Sequence, residues 1–106
     1  MIKAIFLVCK RNDLTFEQFR DYWIEVHGPI ARRIPGVRKY VINLRLPDAD
    51  EATADYDGIS ELWFDSLEAY RAGLAAPEGR ASDADGVNFM DSARERLLLT
   101  DETEVV

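Results

Sequence analysis

The sequence is poor in the residue types that most often carry cross-links or catalysis. Its 106 residues include one cysteine, one histidine, four prolines and six glycines. The lone Cys9 excludes a disulfide within the chain, so the fold depends on its hydrophobic core. Only 13 lysines and arginines stand against 20 aspartates and glutamates, which gives a net charge of −7. Such a charge repels phosphate backbones and anionic lipids, so we expect neither nucleic acid nor a membrane as a partner.

We also expect no secretory leader. The chain does not open with a cationic stretch followed by an apolar core and a small-residue cleavage site. Together with the single cysteine, this predicts a cytoplasmic protein. The hydrophobic content of 47% and the length fit one compact domain over residues 1–106, without repeats or a long linker.

Hydrophobic periodicity predicts the order strand, helix, strand, strand, helix, strand. The predicted strands cover residues 2–9, 37–46, 58–64 and 95–100. The first helix starts after Thr15, which has capping-box spacing to Gln18, and the second opens at Asp65 or Ser66 and stops at Pro77. A weaker helical segment follows to residue 85. This order predicts an α+β, ferredoxin-like βαββαβ fold, with two helices on one face of a four-stranded antiparallel sheet.

The other face of the predicted sheet is apolar and has no helix to cover it. It carries Val41, Ile59 and Trp63 by strand alternation. An exposed apolar sheet favours self-association, so we expect a homodimer whose sheets pack face to face as a dimeric α/β barrel and enclose a cavity.

His27, the only histidine, is the first candidate for chemistry. Phe16, Phe19, Trp23 and Val26 form the predicted buried stripe of the first helix, and His27 lies on or beside it, just before a helix-breaking Gly28-Pro29. In a dry pocket an imidazole exchanges protons near neutral pH, with a carboxylate to hold its tautomer. In the structural alternative, His27 hydrogen-bonds a backbone carbonyl at the helix end.

Several of these residues together resemble a known family. The pattern consists of Phe19, Tyr22-Trp23, His27-Gly28-Pro29, Pro35-Gly36, Tyr40, Asn43 and Asn88-Phe89-Met90-Asp91. It resembles the EthD-type branch of the dimeric α/β-barrel proteins over nearly the whole chain. The resemblance implies a ferredoxin-like homodimer, similar to proteins that include polyketide cyclases, lactone isomerases, small dehydratases and decarboxylases. It also implies an acid/base histidine at this position in some relatives, and a nearby monooxygenase branch that uses neither metal nor flavin.

Two carboxylates are candidate partners for His27. Glu61 lies on the predicted cavity face, where it serves as a proton acceptor or pairs with Arg45, Lys39 or an arginine of the fourth strand. Asp85 either orients the imidazole or caps the turn at Gly86. The acidic residues near it lack the glycine and closing glutamate of a calcium loop, so we expect no metal.

The remaining candidates are aromatic or amide side chains that bind a flat, weakly polar ligand. The residues expected to bind the substrate are Phe19, Trp23, Tyr40, Asn43, Trp63 and Phe89. Phe19 and Trp63 would exclude water, and Asn43 would donate to a developing oxyanion. Strand alternation places Tyr40 and Asn43 on opposite faces, so at least one of them is structural unless a bulge intervenes.

The sequence therefore predicts an enzyme without a cofactor, a lyase or isomerase that acts on a small hydrophobic carbonyl or phenolic compound. His27 would move the proton, and Glu61 or Asp85 would orient it. One alternative is a cofactor-free monooxygenase of an electron-rich aromatic. Another is a dimer that binds a hydrophobic molecule, or serves as an accessory subunit, without catalysis.

Overall fold

The computed structural model describes residues 1–51 and 55–106. The strands are β1 (Ile2–Val8), β2 (Lys39–Leu44), β3 (Gly58–Phe64) and β4 (Arg96–Asp101). The helices are α1 (Phe16–Tyr22), α2 (Gly28–Ala31), α3 (Leu67–Ala75) and α4 (Pro77–Asp85), with a π-turn at Trp23–His27 and 3₁₀ turns at Gly86–Asn88 and Ser92–Arg94. All strand pairs are antiparallel, in the order β2-β3-β1-β4. The predicted α+β, ferredoxin-like architecture is confirmed.

The two faces of the sheet have different surroundings. Along β3, Gly58, Ser60, Leu62 and Phe64 are buried and alternate with half-buried residues. The helices pack on the side of the buried set, where Leu62 and Phe64 join Ala31 of α2 and parts of α3 in one core cluster. The opposite face has no helix on it among the described residues, as the strand alternation predicted.

A second core cluster is strongly aromatic and lies at the other end of the helix layer. It is built on Phe19, Trp23 and Phe89, each no more than 1% exposed. Phe89 follows α4 and its ring lies within 6 Å of both others, at 5.8 Å from each. The predicted burial of Phe19 and Trp23 on one helix stripe is confirmed.

The first helical segment differs from the prediction at the π-turn. The capping box of Thr15 and Gln18 is formed, which confirms the predicted start. At Trp23–His27, however, the N–H of Gly28 donates to Trp23 O, five residues back, so each turn holds one more residue than in an α-helix. His27 therefore lies beside Trp23 on the buried face, and Val26, expected in the stripe, is 42% exposed.

The predicted helix break at Gly28-Pro29 is wrong. The backbone stays helical through Gly28 and continues as α2 to Ala31. Pro29 has no N–H to donate, and it lies at the second residue of α2, directly after the π-turn has interrupted the regular hydrogen-bond ladder. The proline therefore costs the helix little.

One glycine marks a close approach of helix and sheet. A Cβ on Gly58 would lie 2.5 Å from Asn43 O and 2.7 Å from the Trp23 ring. The first residue of β3 therefore has to be glycine for Trp23 to pack over it.

The described residues include no helix with the length and hydrophobicity needed to cross a membrane.

Candidate active site

The π-turn and the end of α4 bring His27 and Asp85 into contact. His27 Nδ1 lies 2.9 Å from Asp85 Oδ2, although 58 residues separate them in sequence. Both side chains are largely removed from solvent, at 11% and 10% exposure. Of the two carboxylates predicted as partners of His27, Asp85 is the one in contact.

Two further hydrogen bonds fix the Asp85 carboxylate. Its Oδ1 accepts from the Tyr22 hydroxyl at 2.6 Å and from Asn88 Nδ2 at 3.0 Å. Burial raises the pKa of Asp85, but the hydrogen bonds from Tyr22, Asn88 and His27 outweigh burial, so the pKa lies below its usual value. Asp85 is therefore a carboxylate at neutral pH and can only accept, which means that His27 Nδ1 carries the hydrogen.

His27 is held in its neutral form. Burial lowers the pKa of His27 below its ordinary value of 6.5, and the neighbouring Asp85 only partly opposes this effect. The Phe89 ring packs against the imidazole at a centroid distance of 4.7 Å and fixes its plane. With Nδ1 protonated, the unprotonated Nε2 is a proton acceptor at neutral pH.

A cavity of about 60 Å³ lies between the helices and the sheet, and His27 lines it. Asp85 does not line this cavity, and it contacts the Nδ1 edge of the His27 ring. Apolar and aromatic side chains form most of the wall, including Trp23 and Phe89. The volume holds a few water molecules or a small organic group.

Tyr40 lines the same cavity. The Trp23 indole N–H donates to its oxygen at 3.2 Å. Burial raises the pKa of Tyr40 to about 12, so the phenol stays protonated. Within residues 1–51 and 55–106, no acceptor takes the hydroxyl hydrogen of Tyr40, which leaves that hydrogen for a ligand.

The sheet separates Glu61, Asn43 and Trp63 from the His27 cavity. All three project from the helix-free face, and none of them lines the cavity. Glu61 contacts Lys3 Nζ and Asn43 Nδ2, each at 2.8 Å. The expected pairing of Glu61 with Arg45, Lys39 or a fourth-strand arginine is wrong, because β1 and not β4 lies beside β3 and supplies Lys3.

The position of Glu61 also excludes it as the residue that orients His27. Asn43 is engaged by Glu61 and the Ile59 carbonyl, and so cannot donate into the cavity from its face of the sheet. Trp63 lies between two ammonium groups, with Lys3 Nζ at 4.9 Å and Lys39 Nζ at 4.8 Å from its ring. The expected opposition of Tyr40 and Asn43 across β2 is confirmed.

The sequence prediction assigned no role in the site to four residues that the structure places there. Tyr22 and Asn88 hold Asp85, and Glu95 and Asp83 line the cavity. A usable signal existed for Glu95, which has the same strand parity as Leu97 and hence the same side of the sheet as Phe6. In the described part of the chain, no three histidine, cysteine or acidic side chains are arranged to hold a metal ion.

Comparisons with known proteins agree with this architecture. The EthD domain model matches residues 11–93. No curated protein matches the sequence significantly. An EthD family protein from Bacillus halodurans is similar in structure, with a TM-score of 0.81 and 24% identity over 97% of this chain and 99% of its own.

Two more distant structures share the fold. A dimeric ferredoxin-like protein of unknown function from Thermobifida fusca superimposes with a TM-score of 0.72 at 20% identity, over 93% of this chain and 88% of its own. SnoaB, a cofactor-independent oxygenase from Streptomyces nogalater, gives 0.69 at 13% identity, over 99% and 95%. The family model covers most of the chain, including His27, Asp85 and the cavity walls between them, and the chain therefore belongs to the EthD family.

Proposed function

We propose that the protein is an enzyme without a cofactor that transfers a proton in a small, uncharged carbonyl or phenolic compound, as a lyase or isomerase. The observation that carries the proposal is the hydrogen bond between Asp85 and the buried His27, which also lines a mainly apolar cavity. A structural histidine at a helix end would bond a backbone carbonyl, whereas this one bonds an ionised carboxylate held by two more donors. That arrangement prepares a base.

The proposed chemistry begins with the neutral His27. Its Nε2 takes a proton from carbon next to the carbonyl, or from a phenol, and Asp85 stabilises the imidazolium that forms. The negative charge moves to the substrate oxygen, where the Tyr40 hydroxyl donates a hydrogen bond. Tyr40 thus has the role that the sequence assigned to Asn43. Trp23 and Phe89 line the cavity with His27 and keep water from the reacting atoms, and Phe19 packs against both of them in the same aromatic cluster.

The test measures proton exchange, because the exchange can be detected before the full reaction is known. The protein is incubated in D₂O with small ketones and phenols, and deuterium incorporation is measured by NMR. His27→Gln removes the base but can still contact Asp85, and we expect exchange to fall by roughly 10²–10⁴-fold. Glu25→Gln, an exposed change in the same π-turn, is the control. Equal exchange by His27→Gln and the wild type would refute the mechanism.

The same base also fits the alternative of a cofactor-free oxygenase. Deprotonation of a phenol by His27 would give the electron-rich anion that reacts with oxygen, and SnoaB shows that this fold supports oxygenation without a cofactor. Oxygen consumption distinguishes the two, since a lyase or isomerase uses none. Ligand binding without proton exchange or oxygen uptake would instead favour the third alternative, a dimer that binds a hydrophobic molecule without catalysis.

We also propose that the protein acts as a homodimer joined through the helix-free sheet face. Val41 and Ile59 lie there around the Lys3–Glu61 pair, and the Thermobifida fusca protein of the same fold is dimeric. Light scattering should show a dimer that Ile59→Glu dissociates. Ile24→Glu, at a side chain already 49% exposed on the helix layer, should leave it intact.

We propose a cytoplasmic location, which agrees with a cysteine that stays reduced. Cys9 is a free, buried thiol, and burial raises its pKa above the ordinary 9.0. A thiol in that state is a packing group and not the nucleophile.

A further inference from the structure

The His27 cavity contains a second ionisable group that the mechanism above does not use. Glu95, between the last 3₁₀ turn and β4, is half-buried and lines the same cavity as His27 and Tyr40. Its side chain has no hydrogen-bond partner within the described ranges 1–51 and 55–106. Asp83 also lines the cavity and is exposed, so it marks the side where the cavity meets solvent.

The charges around the cavity are all of one sign. Asp83 and Glu95 line it, whereas no lysine or arginine is found among the described residues that do so. Burial raises the pKa of Glu95 above the ordinary 4.5, and the nearby Asp83 carboxylate adds to the rise. Both influences favour the carboxylic acid form of Glu95. A substrate carboxylate or phosphate would find no counter-charge here and would be repelled at the entrance.

We propose, as an inference that rests on the proposed function, that Glu95 is the proton donor of a dehydration. The substrate is then an uncharged β-hydroxy carbonyl compound. Three groups then have three separate tasks in one cavity. His27 takes the proton next to the carbonyl, Tyr40 donates a hydrogen bond to the carbonyl oxygen, and Glu95 protonates the departing hydroxyl.

The step balances without a co-reactant. The C–H bond breaks and its proton goes to His27 Nε2, while its electron pair forms the carbon–carbon double bond. The bond from the β-carbon to oxygen breaks, and that oxygen leaves as water with the proton of Glu95. The imidazolium then loses its proton and the Glu95 carboxylate gains one through water at the open side of the cavity, so no net proton is consumed.

The test uses two probes of equal size, 4-hydroxy-2-butanone and the anion 3-hydroxypropionate. Binding is followed through the imidazole NMR signals of His27, the only histidine. The wild type should bind the ketone at least tenfold more tightly than the anion. Because the acid form of Glu95 is favoured, Glu95→Gln keeps the size, a donor and the charge, and it should retain this preference. Asp83→Asn removes the carboxylate at the open side of the cavity and should narrow the preference, whereas Glu104→Gln, an exposed change that also removes one charge, should not.

The two half-reactions separate this inference from the proposed function. In D₂O, exchange of the proton next to the carbonyl reports on His27, and release of water reports on Glu95. We expect Glu95→Gln to retain exchange and to lose elimination by roughly 10²-fold or more. Elimination at the wild-type rate in Glu95→Gln, or no reaction of the wild type with the hydroxyketone, overturns the assignment of Glu95. Unchanged exchange in His27→Gln would overturn the proposed function instead.

Discussion

Replacing Asp85 by asparagine tests whether this side chain sets the tautomer of His27. Oδ1 of Asp85 accepts from two donors, the Tyr22 hydroxyl and the Asn88 amide. In Asp85→Asn we expect the amide oxygen to stay on that side, because it then accepts both hydrogen bonds as the carboxylate oxygen does. The new NH₂ group then points at His27 Nδ1, which becomes an acceptor, and the hydrogen moves to Nε2.

The variant should be folded but less stable. The bond from Tyr22 goes to a neutral acceptor instead of an ionised one, and the bond between His27 and residue 85 becomes a bond between two neutral groups with its direction reversed. Each change costs about 1 kcal/mol, and the exposed bond from Asn88 adds little. The total of about 2 kcal/mol lowers Tm by roughly 8–15 °C in a chain of this length. Thermal unfolding monitored by circular dichroism measures the shift, with Asp21→Asn as an exposed control of equal charge.

The chemical consequence is larger than the loss of stability. A hydrogen on Nε2 leaves no acceptor facing the cavity, so deuterium exchange should fall by roughly 10²–10⁴-fold. Loss of the carboxylate also removes the interactions that raise the pKa of His27, so this pKa should fall further. Nitrogen-15 NMR of the single imidazole reports tautomer and titration together. If Asp85→Asn retains a hydrogen on Nδ1 and the wild-type titration, Asp85 does not control the base.

Three other predictions concern stability and the opposite sheet face. Burial lowers the pKa of His27 below 6.5, so the unfolded chain binds more protons than the folded chain as the pH falls from about 6.5 towards the folded pKa. The free energy of unfolding should therefore decline over that pH window. Urea titrations should show this decline in the wild type and a flatter pH profile in His27→Gln. Glu61→Gln, across the sheet, should leave the His27 NMR signals unchanged, and a shift comparable to that of Asp85→Asn would contradict the separation of the faces. Gly58→Ala should destabilise the fold by about 1–3 kcal/mol, because the new methyl group meets a carbonyl and the Trp23 ring; an unchanged denaturant midpoint would be evidence against that contact.

The sequence predicted the strands more accurately than the site. β3 is found at the predicted residues 58–64, since its turn residues and bulky side chains agree on one structure. The alternation that separated Tyr40 from Asn43 is likewise confirmed. Alternation shows that a strand has two faces, however, and not which face borders the cavity. Glu61 lies on the helix-free face, as predicted, but the cavity that His27 lines is on the opposite, helix-covered face.

Contacts between distant segments set the other limits of sequence reasoning. Asp85 was a candidate because it precedes a turn glycine, but its bond to His27 depends on how α4 packs against α2. Lys3 was not considered as a partner of Glu61, because strand order in the sheet is a property of topology and not of spacing. The burial of Phe19 and Trp23 followed from the local pattern, whereas these pairings depended on the fold.

The π-turn shows how a local departure from helical periodicity can serve a site. In a regular α-helix, Val26 would lie in the buried stripe beside Trp23, because the two residues are three positions apart. The wider turn instead leaves Val26 exposed and buries His27 against Phe89, where the cavity and Asp85 lie. A π-turn gives up regular hydrogen bonds, and such turns occur often at functional sites. Here the aromatic packing of Trp23 and Phe89 offsets that cost, and the helix positions its base by the same contacts that form the core.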